Sequence, residues 1–243
     1  MSKLELKKVT LVAISSIKTG GTIWALEQSM KEIDFYEVIL ISHQKPESLP
    51  LEITFKQCEQ IKSLDEYSRF MLYKLADYIN SDFALVVQYD GYIINPAKWT
   101  DDFLKYDYIG APWRKNNYFT KDCENIRVGN GGFSLRSKKL LNIFNEHQIS
   151  FKNADISTYH EDEVICIYCR KELGDYGIKY APVSIASIFS HEQMLNDSLP
   201  ETFGFHTFKK KSFDDLRNIM KLILNKLHLN SLRHSYKVIT NKK

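Results

Sequence analysis

Asp90 is the residue whose setting in this chain points most clearly to chemistry. It follows the apolar run Leu85-Val-Val-Gln-Tyr and precedes Gly91, so a buried strand is predicted to end at a carboxylate. An isolated buried charge costs more free energy than folding can spare. Asp90 therefore needs a partner, which a metal ion, a ligand hydroxyl or a basic side chain would supply. The alternative is a simple turn that Asp90 and Gly91 form at the strand end.

A second candidate segment is the glycine-rich loop Gly129-Asn-Gly-Gly132, which follows Asp90 in the chain. Glycine has no Cβ, so the backbone of such a loop can approach a ligand closely. The loop matches neither the dinucleotide-binding pattern nor the P-loop pattern. We expect it to lead directly into a helix that begins at Ser137.

Three consecutive acids, Glu161, Asp162 and Glu163, are predicted to lie at the start of a helix. A positioned carboxylate can act as a general base. Acids in a first turn also stabilise a helix through its dipole, and Thr158 with Glu161 matches a capping box. The helix itself is predicted over Asp162–Glu172.

The hydrophobic pattern predicts an α/β fold. Val9–Ser15 and Tyr36–Ser42 are apolar enough for central parallel strands, with a helix from Thr19 between them. A capping box at Ser63–Glu66 predicts a further helix. Other expectations are a short helix over 99–106, a strand over 108–113, an irregular loop over 114–127, and strand and loop over 179–188. We predict one Rossmann-like domain over 1–208, with a mostly parallel sheet flanked by helices, and an amphipathic helical tail over 209–243.

The composition indicates a folded protein from a reducing compartment. The chain is 44% hydrophobic and 26% charged, and it has four cysteines, too few for a disulfide framework. Cys166 and Cys169 lie in an apolar run and are expected to be buried thiols. We see neither a secretory signal nor an apolar run long enough to span a bilayer. We therefore expect a cytoplasmic protein, or one that is peripheral on the inner face of the cell membrane.

Charge is distributed unevenly along the chain. The net charge is +3, but residues 207–243 contain ten Lys/Arg and two Asp. The tail is thus +8 and the preceding body −5. Binding to nucleic acid is not expected, because the body is acidic and lacks basic motifs interleaved with aromatic residues.

These motifs together resemble a bacterial family of unknown function that looks like the GT-A-fold nucleotide-sugar glycosyltransferases. The resemblance spans about Leu11 to Phe208. The segments that carry it are Tyr67-Ser-Arg-Phe70, Val87-Gln-Tyr-Asp-Gly91, Tyr106-Asp-Tyr-Ile-Gly-Ala-Pro-Trp113, Gly129-Asn-Gly-Gly-Phe-Ser-Leu-Arg-Ser137 and His160-Glu-Asp-Glu163.

The resemblance implies a cation site. GT-A enzymes hold a divalent cation with a D-x-D motif, and Asp90 matches the first acid, whereas Tyr92 stands at the third position. Many of these enzymes also use a histidine near the end of the domain, which His206 matches. Asp90 and His206 are therefore predicted ligands of Mn²⁺ or Mg²⁺, together with phosphate oxygens. The alternatives are that Asp90 binds sugar hydroxyls without a metal and that His206 belongs to an aromatic cluster.

The resemblance also assigns the other roles. Asp162 corresponds to the base that deprotonates the acceptor in inverting enzymes, with Glu161 as the second candidate. The other predicted contacts are with the donor, by Ser15, Arg69, Asp90, Gly91, Gly131 and Gly132, and with the acceptor, by Trp113, Asn130 and Arg136. The alternatives are a capping role for Glu161 and Asp162, a solvated helical charge for Arg69, a surface cation for Arg136 and a core position for Trp113.

We therefore expect a glycosyltransferase that moves a hexose or related sugar from a nucleotide-sugar donor to a glycan or lipid-linked glycan acceptor. The expected chemistry is inverting, in surface polysaccharide or lipopolysaccharide biosynthesis, with retaining chemistry on the same fold as a variant. The basic tail would lie on a membrane surface, or pack on the domain or on a second copy. The alternative function is a catalytically degenerate module that binds a glycan or nucleotide.

Overall fold

A computed structural model describes residues 3–113, 128–150, 160–192 and 201–206. All of them belong to one compact unit. The predicted tail over 209–243, the predicted loop over 114–127 and the predicted cap Thr158 lie outside the described residues, as does the predicted boundary at residue 208. In the part of the chain that the structure describes, no helix has both the length and the apolar character that crossing a membrane requires.

The main sheet has six strands in the order β3-β2-β1-β4-β7-β6. Strands β1 to β4 run parallel, while β7 runs antiparallel to both of its neighbours. The bounds of these strands are β1 Leu4–Ile14, β2 Ile33–Ser42, β3 Thr54–Gln57, β4 Phe83–Val86, β6 Tyr108–Ile109 and β7 Ser134–Ser137. This mixed but largely parallel sheet confirms the predicted α/β class.

Helices cover both faces of the sheet because its central strands are apolar on both sides. Leu11 and Ala13 of β1 pack in one cluster with Leu26 of α1, which spans Thr19–Met30. Val12 and Ile14 pack in another cluster with residues of α2, which spans Leu64–Tyr73. The remaining helices are α3 Lys138–Glu146, α4 Glu161–Glu163, α5 Arg170–Asp175 and α6 Val183–Phe189. Single turns of 3₁₀-helix span Leu75–Tyr78, Pro96–Lys98 and Asp101–Lys105.

The predicted start of α2 is confirmed. Ser63 Oγ accepts a hydrogen bond from Glu66 N at 3.1 Å, which satisfies one of the backbone donors left open at a helix start. The Glu66 carboxylate accepts from Lys62 N at 2.7 Å, one residue before the partner that a capping box would use. Tyr67 and the rest of α2 are therefore held at a defined point above β4.

Two predictions of secondary structure were wrong. The glycine loop leads into strand β7 rather than directly into a helix, because Phe133 and Leu135 enter the core and Leu135 pairs with Leu85 of β4. Helix α3 then begins after Ser137, whose Oγ accepts from Leu140 N at 3.1 Å. The segment 179–188, expected as strand and loop, instead forms most of α6, with Pro182 before its first residue.

The acidic trio begins a helical segment, but two residues later than the capping-box pattern implies. His160 is the N-cap of α4, so Glu161 is the first helical residue. After α4 the chain passes through a π-helix over Val164–Tyr168 into α5. Cys166 and Cys169 are buried free thiols on this segment, as predicted.

A second sheet brings the end of the domain to the main sheet. It has the order β5-β9-β8, with β5 Gly91–Ile93, β8 Ser190–His191 and β9 Gly204–His206. Strand β9 runs antiparallel to β5 and pairs His206 with Gly91. This pairing places His206 next to the turn that follows β4.

Candidate functional site

Asp90 lies in a tight turn at the carboxyl end of β4. The backbones of Gln88 and Gly91 exchange two hydrogen bonds, of 3.0 and 3.3 Å, which leaves Tyr89 and Asp90 at the tip. The preceding residue, Val87, donates to Val12 O at 3.0 Å, so the turn begins in register with β1. Ligands of open α/β sheets bind at this edge.

The two predicted cation ligands lie side by side. His206 Nε2 is 3.5 Å from Asp90 Oδ1, and both side chains are largely buried, at 7% and 16% exposed. His206 Nε2 is also 3.3 Å from Gln88 Oε1, a contact that the sequence analysis did not anticipate. Within residues 3–113, 128–150, 160–192 and 201–206, no three His, Cys, Asp or Glu side chains group as a metal site. A cation bound by Asp90 and His206 would therefore need further ligands of another kind.

The glycines of this region make room for the protein's own side chains. A Cβ on Gly132 would lie 2.2 Å from His206 Nε2, and a Cβ on Gly131 would lie 2.0 Å from Glu161 Oε1. A Cβ on Gly91 would lie 2.9 Å from Phe205 O. These three glycines were predicted to contact the donor, whereas the structure explains each of them by contacts inside the fold.

Asn130 shapes the glycine loop. It has a left-handed backbone with φ of 65°, a conformation that asparagine tolerates better than most residues. Its Oδ1 accepts from Gly132 N at 3.3 Å, while its Nδ2 is buried without a hydrogen-bond partner among the residues that the structure describes. This amide group is a donor that a ligand could satisfy, and the contact of Asn130 with an acceptor stays a prediction.

Arg136 and Glu161 form a buried ion pair beneath the loop. Arg136 Nη2 donates to Glu161 Oε1 at 2.8 Å, with side chains 0% and 5% exposed. Arg136 Nε donates to Ser134 Oγ at 3.0 Å. Burial acts to raise the pKa of Glu161 and Arg136 acts to lower it.

This ion pair corrects two predictions. Arg136 cannot reach an acceptor, because its guanidinium is enclosed and bound to Glu161. Glu161 is not placed as a base, because its carboxylate is committed to that guanidinium. The pair joins β7 to the start of α4 and so holds the loop and the acidic helix together.

Asp162 connects the loop to the helix from the other side. Its Oδ2 accepts from Gly131 N at 3.1 Å and its Oδ1 accepts from Glu163 N at 3.0 Å. The side chain is only half-buried. Since an ionised carboxylate has about four acceptor positions, these two bonds orient Asp162 and still leave lone pairs for a ligand.

Glu163 is a titratable residue for which no role was predicted. Burial raises its pKa to about 7, while His160 acts to lower the pKa and Asp162 to raise it. A backbone hydrogen bond links Glu163 to His160, the reach that a capping residue makes at this helix position. Glu163 therefore changes protonation near neutral pH next to Asp162.

Tyr67 is the residue of α2 that contacts the Asp90 turn. Gln88 Nε2 donates to Tyr67 Oη at 2.9 Å, and burial followed by the charge of Glu161 raises the pKa of Tyr67. Arg69 is 60% exposed, and its Nε donates to Asp65 Oδ2 at 2.7 Å. The predicted contact of Arg69 with a donor remains a prediction.

The structure places Ser15 at the candidate site but buries Trp113, the predicted acceptor contact, in the core. Ser15 follows β1 at the same edge as Asp90, and its Oγ accepts from Lys18 N at 3.2 Å. Lys18 Nζ lies 3.6 Å above the ring of Tyr89, so this loop contacts the Asp90 turn. Trp113 is 4% exposed and packs on Gly129, where a Cβ would lie 1.9 Å from its ring. The predicted stacking of Trp113 on an acceptor is wrong, because the ring fills the core.

The residues missed by sequence reasoning are Gln88, Tyr67 and Glu163. Each lies inside a segment that carries the family resemblance. Gln88 and Tyr67 carry no charge, whereas their neighbours Asp90 and Arg69 do, and charged side chains are the commoner functional groups. The signal that could have found Gln88 is its place two residues before Asp90, the spacing of two ligands on one turn.

The sequence comparison decides the family. A family described as "Protein of unknown function (DUF5672)" matches residues 51–227, most of the chain. The chain belongs to this family. No curated protein sequence matches the DUF5672 chain.

Solved glycosyltransferases resemble the DUF5672 chain in fold. One, involved in glycosylation of the major capsid of the virus PBCV-1, aligns with a TM-score of 0.52 at 13% identity, over 88% of this chain and 98% of that one. A mannosyltransferase from Pyrobaculum calidifontis, solved with GDP-Man and Mn²⁺, aligns at 0.48 and 9%, over 86% of this chain and 59% of that one. GlyE of Streptococcus pneumoniae TIGR4, a glycosyltransferase in its apo form, aligns at 0.49 and 11%, over 95% and 64%.

These comparisons establish what the chain shares with the solved proteins. The fold is GT-A-like, an α/β domain of the glycosyltransferase kind. The chain spans about three fifths of the length of the Pyrobaculum and Streptococcus proteins. At these identities the likeness concerns the fold alone.

Proposed function

We propose that this protein is a glycosyltransferase that uses a nucleotide-sugar donor. The observation that carries the proposal is the convergence of two chemical groups on one glycine loop. Gly132 packs against His206, which lies 3.5 Å from Asp90. Gly131 donates its N–H to Asp162 at 3.1 Å. A transferase needs such neighbouring groups, one for the leaving diphosphate and one for the attacking hydroxyl.

Asp90 and His206 fit a divalent cation by their chemistry and spacing. An ion about 2.1 Å from each of two ligands holds those ligands about 3.0 to 3.5 Å apart, and the Nε2 to Oδ1 distance is 3.5 Å. A carboxylate oxygen and an imidazole nitrogen both suit Mn²⁺, and the carboxylate suits Mg²⁺. When bound, the cation would neutralise charge that develops on the diphosphate. The residues that would hold it are Asp90 and His206, with phosphate oxygens from the donor.

Asp162 is the group that we assign to the acceptor. Its carboxylate takes the proton of the acceptor hydroxyl as that oxygen attacks the anomeric carbon. The bond from this carbon to the diphosphate oxygen breaks, and its electron pair leaves with the nucleoside diphosphate. The bonds from Gly131 N and Glu163 N fix the carboxylate during this step. Attack on the face opposite the leaving group inverts the anomer.

The donor can be tested before the acceptor is known, because water can replace the acceptor. Release of nucleoside diphosphate would be measured with UDP-, GDP- and dTDP-sugars, with and without Mn²⁺. Asp162→Asn should lower turnover by at least about a hundredfold and leave nucleotide binding in place. The matched control is Asp82→Asn, an exposed acid at the other end of β4, which should leave both unchanged.

The outcomes separate the proposal from its alternative. A nucleotide that binds the folded protein raises its stability by about 2.7 kcal/mol at a hundredfold excess over Kd. Stabilisation without turnover of any donor would favour a nucleotide- or glycan-binding module. If neither occurs, the proposal fails. The anomeric configuration of the product, compared with that of the donor, distinguishes inverting from retaining chemistry.

The biological setting is part of the proposal. We propose a glycan or lipid-linked glycan acceptor in surface polysaccharide or lipopolysaccharide biosynthesis, and a cytoplasmic location that includes the inner face of the membrane. The support is the sequence of the tail, with ten Lys/Arg against two Asp, which suits an anionic surface. Self-association through the tail is the competing proposal. Co-sedimentation of the full chain with anionic vesicles would separate the two.

A further inference from the structure

The side chain of Gln88 spans the space between α2 and the candidate cation ligands. Its Nε2 donates to Tyr67 Oη at 2.9 Å. This bond leaves the other end of the amide, Oε1, directed at His206 Nε2 at 3.3 Å. His206 Nε2 also lies 3.5 Å from Asp90 Oδ1. Two side-chain oxygens, from Gln88 and Asp90, thus lie within 3.5 Å of the same imidazole nitrogen.

The buried surroundings of Tyr92 show which residues of the turn belong to this group. The sequence comparison with a D-x-D motif placed Asp90 first and Tyr92 third. In the structure Tyr92 is 2% exposed, with its ring against Trp24 at 4.8 Å and Phe205 at 4.7 Å. The Tyr92 ring is therefore enclosed in the fold. Gln88, two positions before Asp90, is instead the residue that lies with Asp90 beside His206.

We propose that Gln88 Oε1 is a third protein ligand of the cation, so that the motif of this chain is Gln-x-Asp with an amide in place of the first acid. This inference rests on the proposed function, because it concerns the same cation. Amide oxygens of glutamine are accepted ligands of hard divalent cations. The separations of 3.3 and 3.5 Å from His206 Nε2 suit ligands that share an ion about 2.1 Å away.

The exchange of an acid for an amide has a consequence for affinity. With Gln88, the three protein ligands carry one negative charge, that of Asp90. A cation then gains little attraction from the protein alone and gains more from the oxygens of a bound diphosphate. Cation and nucleotide should therefore bind cooperatively, each raising the affinity of the other by the same factor.

The test replaces the amide by a carboxylate of the same length. Mn²⁺ binding to the full chain would be measured by titration calorimetry, with and without a nucleoside diphosphate. Gln88→Glu should bind Mn²⁺ alone at least about tenfold more tightly than the wild type, and its dependence on nucleotide should fall. The control is Gln57→Glu, on the exposed end of β3, where Nε2 donates to His43 O at 3.4 Å. It adds the same charge three strands away and should leave Mn²⁺ affinity unchanged.

The competing explanation predicts the opposite sign. If Gln88 only holds His206, then Gln88→Glu strengthens that hold through an ion pair, and Mn²⁺ must compete with it. Unchanged or weaker Mn²⁺ binding in Gln88→Glu would overturn the inference. Gln88→Ala provides an independent test, because loss of a ligand should weaken Mn²⁺ binding in the presence of nucleotide at least about tenfold, and an unchanged affinity would overturn it.

Failure of this inference can be told from failure of the proposed function. If nucleotides stabilise the wild type and donors are turned over without any binding of Mn²⁺, the transferase remains and the cation ligand is refuted. If no nucleotide binds, both are refuted. Thermal unfolding of each variant without metal establishes that the protein titrated is folded.

Discussion

Glu161→Gln should destabilise the protein far more than the loss of one ordinary ion pair would. The substitution keeps the shape of the side chain and removes its charge. Arg136 is 0% exposed, so its guanidinium would stay buried without a counter-charge. Breaking such a pair from one side costs about 3 to 5 kcal/mol. Domains are stable by about 5 to 15 kcal/mol, so this loss is a large part of the total.

The chain contains a matched control in the pair Arg69–Asp65. Its Nε to Oδ2 distance is 2.7 Å, close to the 2.8 Å of the buried pair, but the side chains are 60% and 40% exposed. Asp65→Asn should cost about 0.3 to 0.5 kcal/mol, as exposed pairs four residues apart on a helix do. Urea unfolding at low and high salt would give both free energies. Salt should weaken the exposed pair and leave the buried one nearly unchanged.

Three results would refute this reasoning. The first is a cost of less than about 1 kcal/mol for Glu161→Gln, or a cost no greater than that of Asp65→Asn, which would mean that Arg136 is solvated. The double variant Arg136→Met with Glu161→Met should recover much of the loss, because apolar residues of similar volume can replace a buried pair. An equal or greater loss in the double variant would contradict the ion-pair explanation. A stable Glu161→Gln that lost only turnover would restore Glu161 as the base.

Two further predictions concern the same region. Glu163 has a pKa of about 7, raised from 4.5, so the folded state disfavours its carboxylate. Glu163→Gln should be more stable than the wild type at pH 8, by about 3 kcal/mol at most, and the gain should fall to less than about 1 kcal/mol at pH 5, as measured by unfolding at both values. Gly132→Ala should displace His206, because the new Cβ would lie 2.2 Å from Nε2. It should lose about 1 to 3 kcal/mol of stability and weaken Mn²⁺ binding, whereas Gly174→Ala, with nothing within 4 Å, should do neither.

The strands that sequence reasoning found are those whose side chains are buried on both faces. Val9 to Ile14 of β1 are all buried, and Thr10 is the one polar residue in this otherwise apolar run. Strand β7 gives no such signal, because its four residues Ser-Leu-Arg-Ser include a buried arginine and are too short for a period to show. Its place beside β4 follows from pairing across the fold, which a single sequence does not display.

The candidate site was predicted only in part, because contacts between segments far apart in the chain are likewise not displayed by a single sequence. Asp90 and His206 were predicted from their places in family motifs, but their proximity depends on the pairing of β5 with β9, two strands that are far apart in the sequence. The burial of Arg136 could not be predicted, because a charged side chain normally faces solvent. Only the packing of Glu161 against it reverses that expectation.

The glycine loop explains why the two halves of the site must act together. Gly131 lies against Glu161 and binds Asp162, while Gly132, the next residue, lies against His206. A shift of this loop that moved Asp162, the proposed base, would also move His206, the proposed cation ligand. The loop in turn is fixed by the buried pair of Arg136 with Glu161 and by the bond from Gly132 N to Asn130. Because these contacts are buried and have little freedom, the distance between the base and the cation ligand is set by the fold before any ligand binds.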